Sequence, residues 1–141
     1  MYRVNLLLLI ILLVSPLSLA QKQDKLVAAG QLLAIVDILE ILSKSECSYL
    51  FKRKSYSVNN ILNQIDGYLT ENEKKEIRLF MKSKWIKQHE ENKEIALKPL
   101  RMLSAEYDEK TACGVMMGMY SMPYENAMNV WNMSKGTVNL P

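Results

Sequence analysis

The chain is poor in the residues that most chemistry needs. It has one histidine, His89, and only two cysteines, Cys47 and Cys113, in 141 residues. A catalytic zinc site draws several His, Cys or carboxylate ligands to one point, and a lone His89-Glu90-Glu91 is not such a set. The histidine also lies in the most polar stretch of the chain and reads as exposed surface. Two cysteines exclude the disulfide-dense scaffolds of small secreted domains. No serine stands in a G-x-S-x-G elbow, and no glycine-rich phosphate loop is present. No strong charge of one sign is present either. The net charge is +3, too mild for the basic stripe that nucleic-acid binding requires. The clusters Lys52-Arg53-Lys54 and Lys82, Lys84, Lys87 read as solvated surface. No stretch alternates with period two, and no internal repeat is visible.

What is present begins with a leader. Met1 and Arg3 give a short positive start, and Leu6 to Val14 is an unbroken apolar run. Ser15 and Pro16 break it, and Ser18-Leu19-Ala20 puts small residues where a signal peptidase reads them. This is the three-part order of a secretory signal, with cleavage expected between Ala20 and Gln21. The run is shorter than the roughly 20 residues of a membrane span. Cleavage removes one charged residue, Arg3, and takes the net charge to +2. Residues 1–20 are therefore read as a signal peptide and 21–141 as a single helical domain, secreted or periplasmic, with no stable membrane anchor after cleavage. In an oxidising compartment the even cysteine count predicts a Cys47–Cys113 disulfide.

Helical periodicity runs through the rest. Leu26 to Leu42 is apolar on most sides and belongs in the middle of a bundle. Its breaks Asp37 and Glu40 fall with Lys44 on one narrow face, read as the helix's solvent edge. Ser57 caps a second helix, with Val58, Ile61, Leu62, Ile65 and Leu69 at helical spacing. Thr70-Glu71-Asn72-Glu73 is a capping box opening a third. Ala96, Leu100, Leu103 and Tyr107 form a further stripe, which Pro99 must start or kink because it lacks a backbone N–H. Asp108 or Thr111 can cap Ala112 to Tyr120, where Gly114 and Gly118 would let another helix approach closely. Ser121-Met122-Pro123 punctuates the chain before a last helix that stops near Gly136. The sum is an all-α bundle of five or six helices.

Six of the nine methionines lie between Met116 and Met133. Their spacing suits core packing or an adaptable partner-binding surface. It also suits a copper site in which the thioethers of Met116, Met119 and Met122 converge. The leading expectation is a non-enzymatic binding protein without a cofactor, such as an inhibitor or immunity protein that meets a protein partner outside the cytosol. Tyr120, Met122, Tyr124 and Trp131 are its candidate contact residues. The alternatives are a Met-rich copper-handling protein and a hydrolase with an unrecognised site built on Asp37 and Glu40.

Overall fold

A computed structural model describes residues 17–51 and 56–136, with side chains for residues 25–50 and 56–134. The apolar run of the expected leader, Lys52-Arg53-Lys54 and the tail to Pro141 lie outside the described residues. Within them the chain is all helix: α1 (Leu17–Ser43), a 3-10 turn (Ser48–Phe51), α2 (Val58–Asp66), α3 (Glu71–Ser83), α4 (Trp85–Glu106) and α5 (Glu109–Gly136). Five α-helices and no strand is the all-α bundle expected, and the apolar N-terminal helix is compatible with a signal peptide.

α1 is the axis of the bundle. Ala28, Ala29, Leu32, Leu33, Val36, Leu39 and Leu42 are all buried, together with Ile35 and Ile38 on flanking positions. An amphipathic helix hides one stripe, whereas this one hides most of its circumference. α5 and α4 cover it most extensively, followed by α2. The segment Lys25–Ser43 is long and apolar enough to cross a membrane by composition, but half of it is buried here as the core.

The local signals for helix starts are realised. Ser57 Oγ accepts from Asn60 N–H at 3.4 Å and caps α2. At α3, Thr70 Oγ1 accepts from Glu73 N–H at 3.3 Å, while Glu73 Oε2 accepts from Thr70 N–H at 2.7 Å. The same Glu73 oxygen takes a 3.1 Å bond from Lys25, whose side chain is buried. One carboxylate thus closes the capping box and neutralises a buried cation from α1. Asp108 opens α5 by accepting from Thr111 N–H at 3.0 Å.

Cys47 and Cys113 form the expected disulfide across 66 residues of sequence. Ser45 builds the turn that aims Cys47. Its hydroxyl donates to Leu42 C=O at 2.6 Å and accepts from Cys47 N–H at 3.1 Å. The bridge ties the exit of α1 to the start of α5, and both cysteines are buried.

Both prolines lie within helices. Of the two places expected for Pro99, the start of a helix is excluded: it lies inside α4, which runs through the polar stretch His89 to Glu94. Pro123 likewise lies inside α5, so the two expected C-terminal helices are one of 28 residues. Burial explains the outcome: core residues on both sides of each proline, such as Ala96 and Leu100, or Tyr120 and Ala127, hold the flanking turns against α1 and its neighbours. Gly114 and Gly118 do not admit a neighbouring helix either. A Cβ built at either position meets nothing within 4 Å.

Two outcomes are expected. Replacing both cysteines with serine lowers stability by up to about 4 kcal/mol in the chain-entropy picture, and urea titration of the oxidised wild type against the double variant reads it. Glu73 supplies a pH signature. Burial pushes its carboxyl up, but the Thr70 N–H and Lys25 outweigh this and hold it below the ordinary glutamate value. A folded-state pKa that is depressed gives stability present above the unfolded pKa and lost as pH falls through the folded one. The stability gap between wild type and Glu73→Gln therefore narrows on acidification from neutrality, and a gap constant with pH contradicts the assignment.

Candidate functional site

The site begins with a polar residue in an apolar helix. Asp37 projects from the middle of α1 and is only 3% exposed. A carboxylate so placed must find donors, because an unpaired buried charge costs several kcal/mol. α4 supplies them. Its residues 89, 92, 96, 100 and 103 lie along one face, and the upper two are polar. His89 Nδ1 lies 2.9 and 3.0 Å from the two Asp37 oxygens, and Asn92 Nδ2 donates to Oδ2 at 2.9 Å. Gln88 Nε2 donates to Asn92 Oδ1 at 3.1 Å and fixes the amide that faces Asp37. Among the described residues, no buried side-chain nitrogen or oxygen lacks a partner.

This corrects two readings. Asp37 is not on a solvent edge, and His89 is not a free surface residue; each is the other's partner. The sequence signal was available in part. The stripe Ala96, Leu100, Leu103 extends backwards by helical spacing to Asn92 and His89, which puts both on the buried face. Asn92 went unnoticed because an amide inside a polar run looks ordinary.

Glu40, one turn further along α1, has a different task. Its Oε2 accepts from Val58 N–H at 2.8 Å, so it satisfies the first turn of α2, and its Oε1 takes a 2.6 Å bond from Lys44. Burial pushes its carboxyl up, and Lys44, the Val58 N–H and, more weakly, His89 pull it down to a net lowered value. Glu40 is thus committed to joining α1 to α2.

The methionine cluster divides. Met116 is 1% exposed and packs in the core, whereas Met119 and Met122 are 48% and 68% exposed. The three sulfurs expected to converge therefore do not share one surface, because successive steps of three along a helix fall short of a full turn by 60° each. No group of three or more His, Cys, Asp or Glu suited to a metal occurs among the described residues. Of the four candidate contact residues, Tyr120 and Trp131 are core residues, and Tyr124 is half-buried with an edge contact to Tyr56 at 5.4 Å. Only Met122 is fully presented. Trp131 meets Tyr68 edge-on at 6.2 Å, in a cleft of about 190 Å³ shared with Gln64 and Asn132.

Tyr120 has a role that its neighbours in sequence do not reveal. Pro99 has no N–H to give to the carbonyl four residues earlier, that of Ile95. The Tyr120 hydroxyl of α5 donates to that carbonyl at 3.2 Å. Burial also pushes the Tyr120 phenol's pKa up. The proline in α4 and the tyrosine in α5 are one arrangement.

A second surface feature runs along α5. Val115, Met119, Met122 and Met133 are exposed and fall within about 40° of one line at 100° per residue. The stripe borders an apolar groove of about 360 Å³ between α1 and α5, lined by Gln31, Ala34, Ile35 and Ile38 on one side and Pro123, Asn126, Ala127 and Val130 on the other. None of these residues is charged. From Thr111 to Ser134, the one charged residue of α5 is Glu125.

No protein-family model, no curated protein and no solved structure matches this chain.

The proline–tyrosine arrangement predicts a non-additive pair. Tyr120→Phe removes the side-chain donor to the Ile95 carbonyl and costs about 0.5–1.5 kcal/mol. In a Pro99→Ala background the helix can make its own bond, so the same substitution costs less. A double-mutant cycle by urea denaturation measures the difference, and additivity would contradict the pairing.

Proposed function

We propose that the chain is an exported binding protein of the inhibitor or immunity type, which holds a protein partner on the charge-poor face of α5. Export is supported by the leader pattern of residues 1–20 and by the Cys47–Cys113 bridge, which suits an oxidising compartment. The observation that carries the binding reading is the exposed line Val115, Met119, Met122 and Met133 beside the α1–α5 groove. Large apolar side chains gathered on one exposed face are typical of interaction surfaces. Methionine adapts its unbranched, polarisable side chain to an irregular partner surface. The occupant this face suits is an apolar helix or loop of another protein, because the groove offers shape and dispersion with no charged group. The copper reading lacks such support, since Met116 is buried away from the other two sulfurs.

The reading is tested with a photo-crosslinking side chain at position 122 in the exported, disulfide-bonded protein, and the same group at the α4 surface position Arg101 as control. One discrete protein adduct from position 122 that is absent from the control is expected. Met119→Glu with Met122→Glu should abolish it, with stability changed by no more than about 0.5 kcal/mol, as is usual for exposed sites. Equal adducts from both positions, or none from position 122, would overturn the assignment.

A further inference from the structure

The pair Asp37–His89 is arranged beyond what packing requires. An ionised carboxylate can only accept hydrogen bonds, so the Nδ1 that faces both oxygens must carry the proton and donate. That leaves Nε2 of the neutral ring with a free lone pair. The side chain is 36% exposed although its Asp37 partner is almost fully buried, so the ring bridges core and solvent. Asn92 holds the carboxylate from a second direction, and Gln88 holds Asn92. A buried aspartate that fixes a histidine's tautomer and faces the imidazolium it becomes is the arrangement by which proteins hold a general base.

From this geometry we infer that His89 is a reactive imidazole whose Nε2 serves as general base toward carboxylic esters that reach it from solvent, a chemical activity beyond the binding role. Nε2 takes a proton from water as the water oxygen bonds to the ester carbonyl carbon. The imidazolium so formed faces the two Asp37 oxygens. Collapse of the tetrahedral species breaks the acyl C–O bond, and the leaving alkoxide takes the proton from Nε2. Ester and water become acid and alcohol, and the imidazole is restored. Asp37 and Asn92 touch no substrate and are positioning residues.

The test uses p-nitrophenyl acetate with the folded, disulfide-bonded chain near neutral pH. Wild type should exceed free imidazole at equal concentration, and His89→Gln, with an unchanged circular dichroism spectrum, should lose at least about tenfold, since positioned bases contribute about 10²–10⁴. A wild-type rate no greater than that of imidazole, or a folded His89→Gln that keeps the rate, would overturn the inference. Ring-nitrogen NMR of wild type reads the positioning role without any activity assay. The Nδ1–H tautomer is expected, with a shift toward Nε2–H and a lower rate in Asp37→Asn. If that variant does not fold, the wild-type spectrum still decides, because a dominant Nε2–H tautomer in the native protein refutes the arrangement.

Discussion

The structure depends on the burial of one helix. α1 is apolar around most of its circumference, and a helix of that kind in water is stable only when other elements cover it. α4 and α5 supply most of the cover, α2 adds a flank, and the disulfide fastens the start of α5 to the end of α1. Each polar residue that α1 carries into this environment is matched. Lys25 is answered by Glu73 of α3, Asp37 by His89 and Asn92 of α4, and Glu40 by the first N–H of α2. Three polar exceptions on one helix thus fix the placement of three others. Apolar contact is non-directional, so it decides that α1 is covered, whereas these bonds decide which helix lies where along it.

The same logic accounts for the irregularities. A proline in a helix interior leaves a carbonyl without its partner, and a buried carbonyl left alone costs about as much as a lost hydrogen bond. Around Pro99 the protein answers with the Tyr120 hydroxyl, so the break is accommodated by tertiary contact rather than by ending α4. The cost of a helical proline is local, while the apolar faces of α4 and α5 gain along their whole length. Two of the faces described above carry features that packing does not use. One is the methionine line of α5. The other is the outward edge of His89, whose inward edge is spoken for.

Local features were legible where they rest on neighbours in sequence. The capping box at Thr70 and Glu73, the Ser57 and Asp108 caps and the apolar stripes of α2 and α4 are short-range patterns, and they appear as read except that Leu69 and Tyr107 lie past the helix ends. The central position of α1 was legible for the same reason, since all-round apolarity is a property of one segment. The cysteine pairing was legible by arithmetic, because two cysteines allow one intramolecular pairing. Misreadings clustered where a residue's meaning depends on a distant partner. Asp37 and His89 are 52 residues apart, and each alone resembles a surface residue. Tyr120 and Trp131 resembled contact residues because aromatic side chains serve cores and interfaces equally.

The sequence by itself therefore determined the all-helical class, the helix starts and the central helix, because these follow from residue types and from spacings of three and four. Tertiary structure alone decided that both prolines are tolerated, that Gly114 and Gly118 face solvent, which methionines are buried, and that a single histidine is held by a buried aspartate. Those outcomes turn on which surfaces meet, and a buried charge acquires its role from the one neighbour able to answer it.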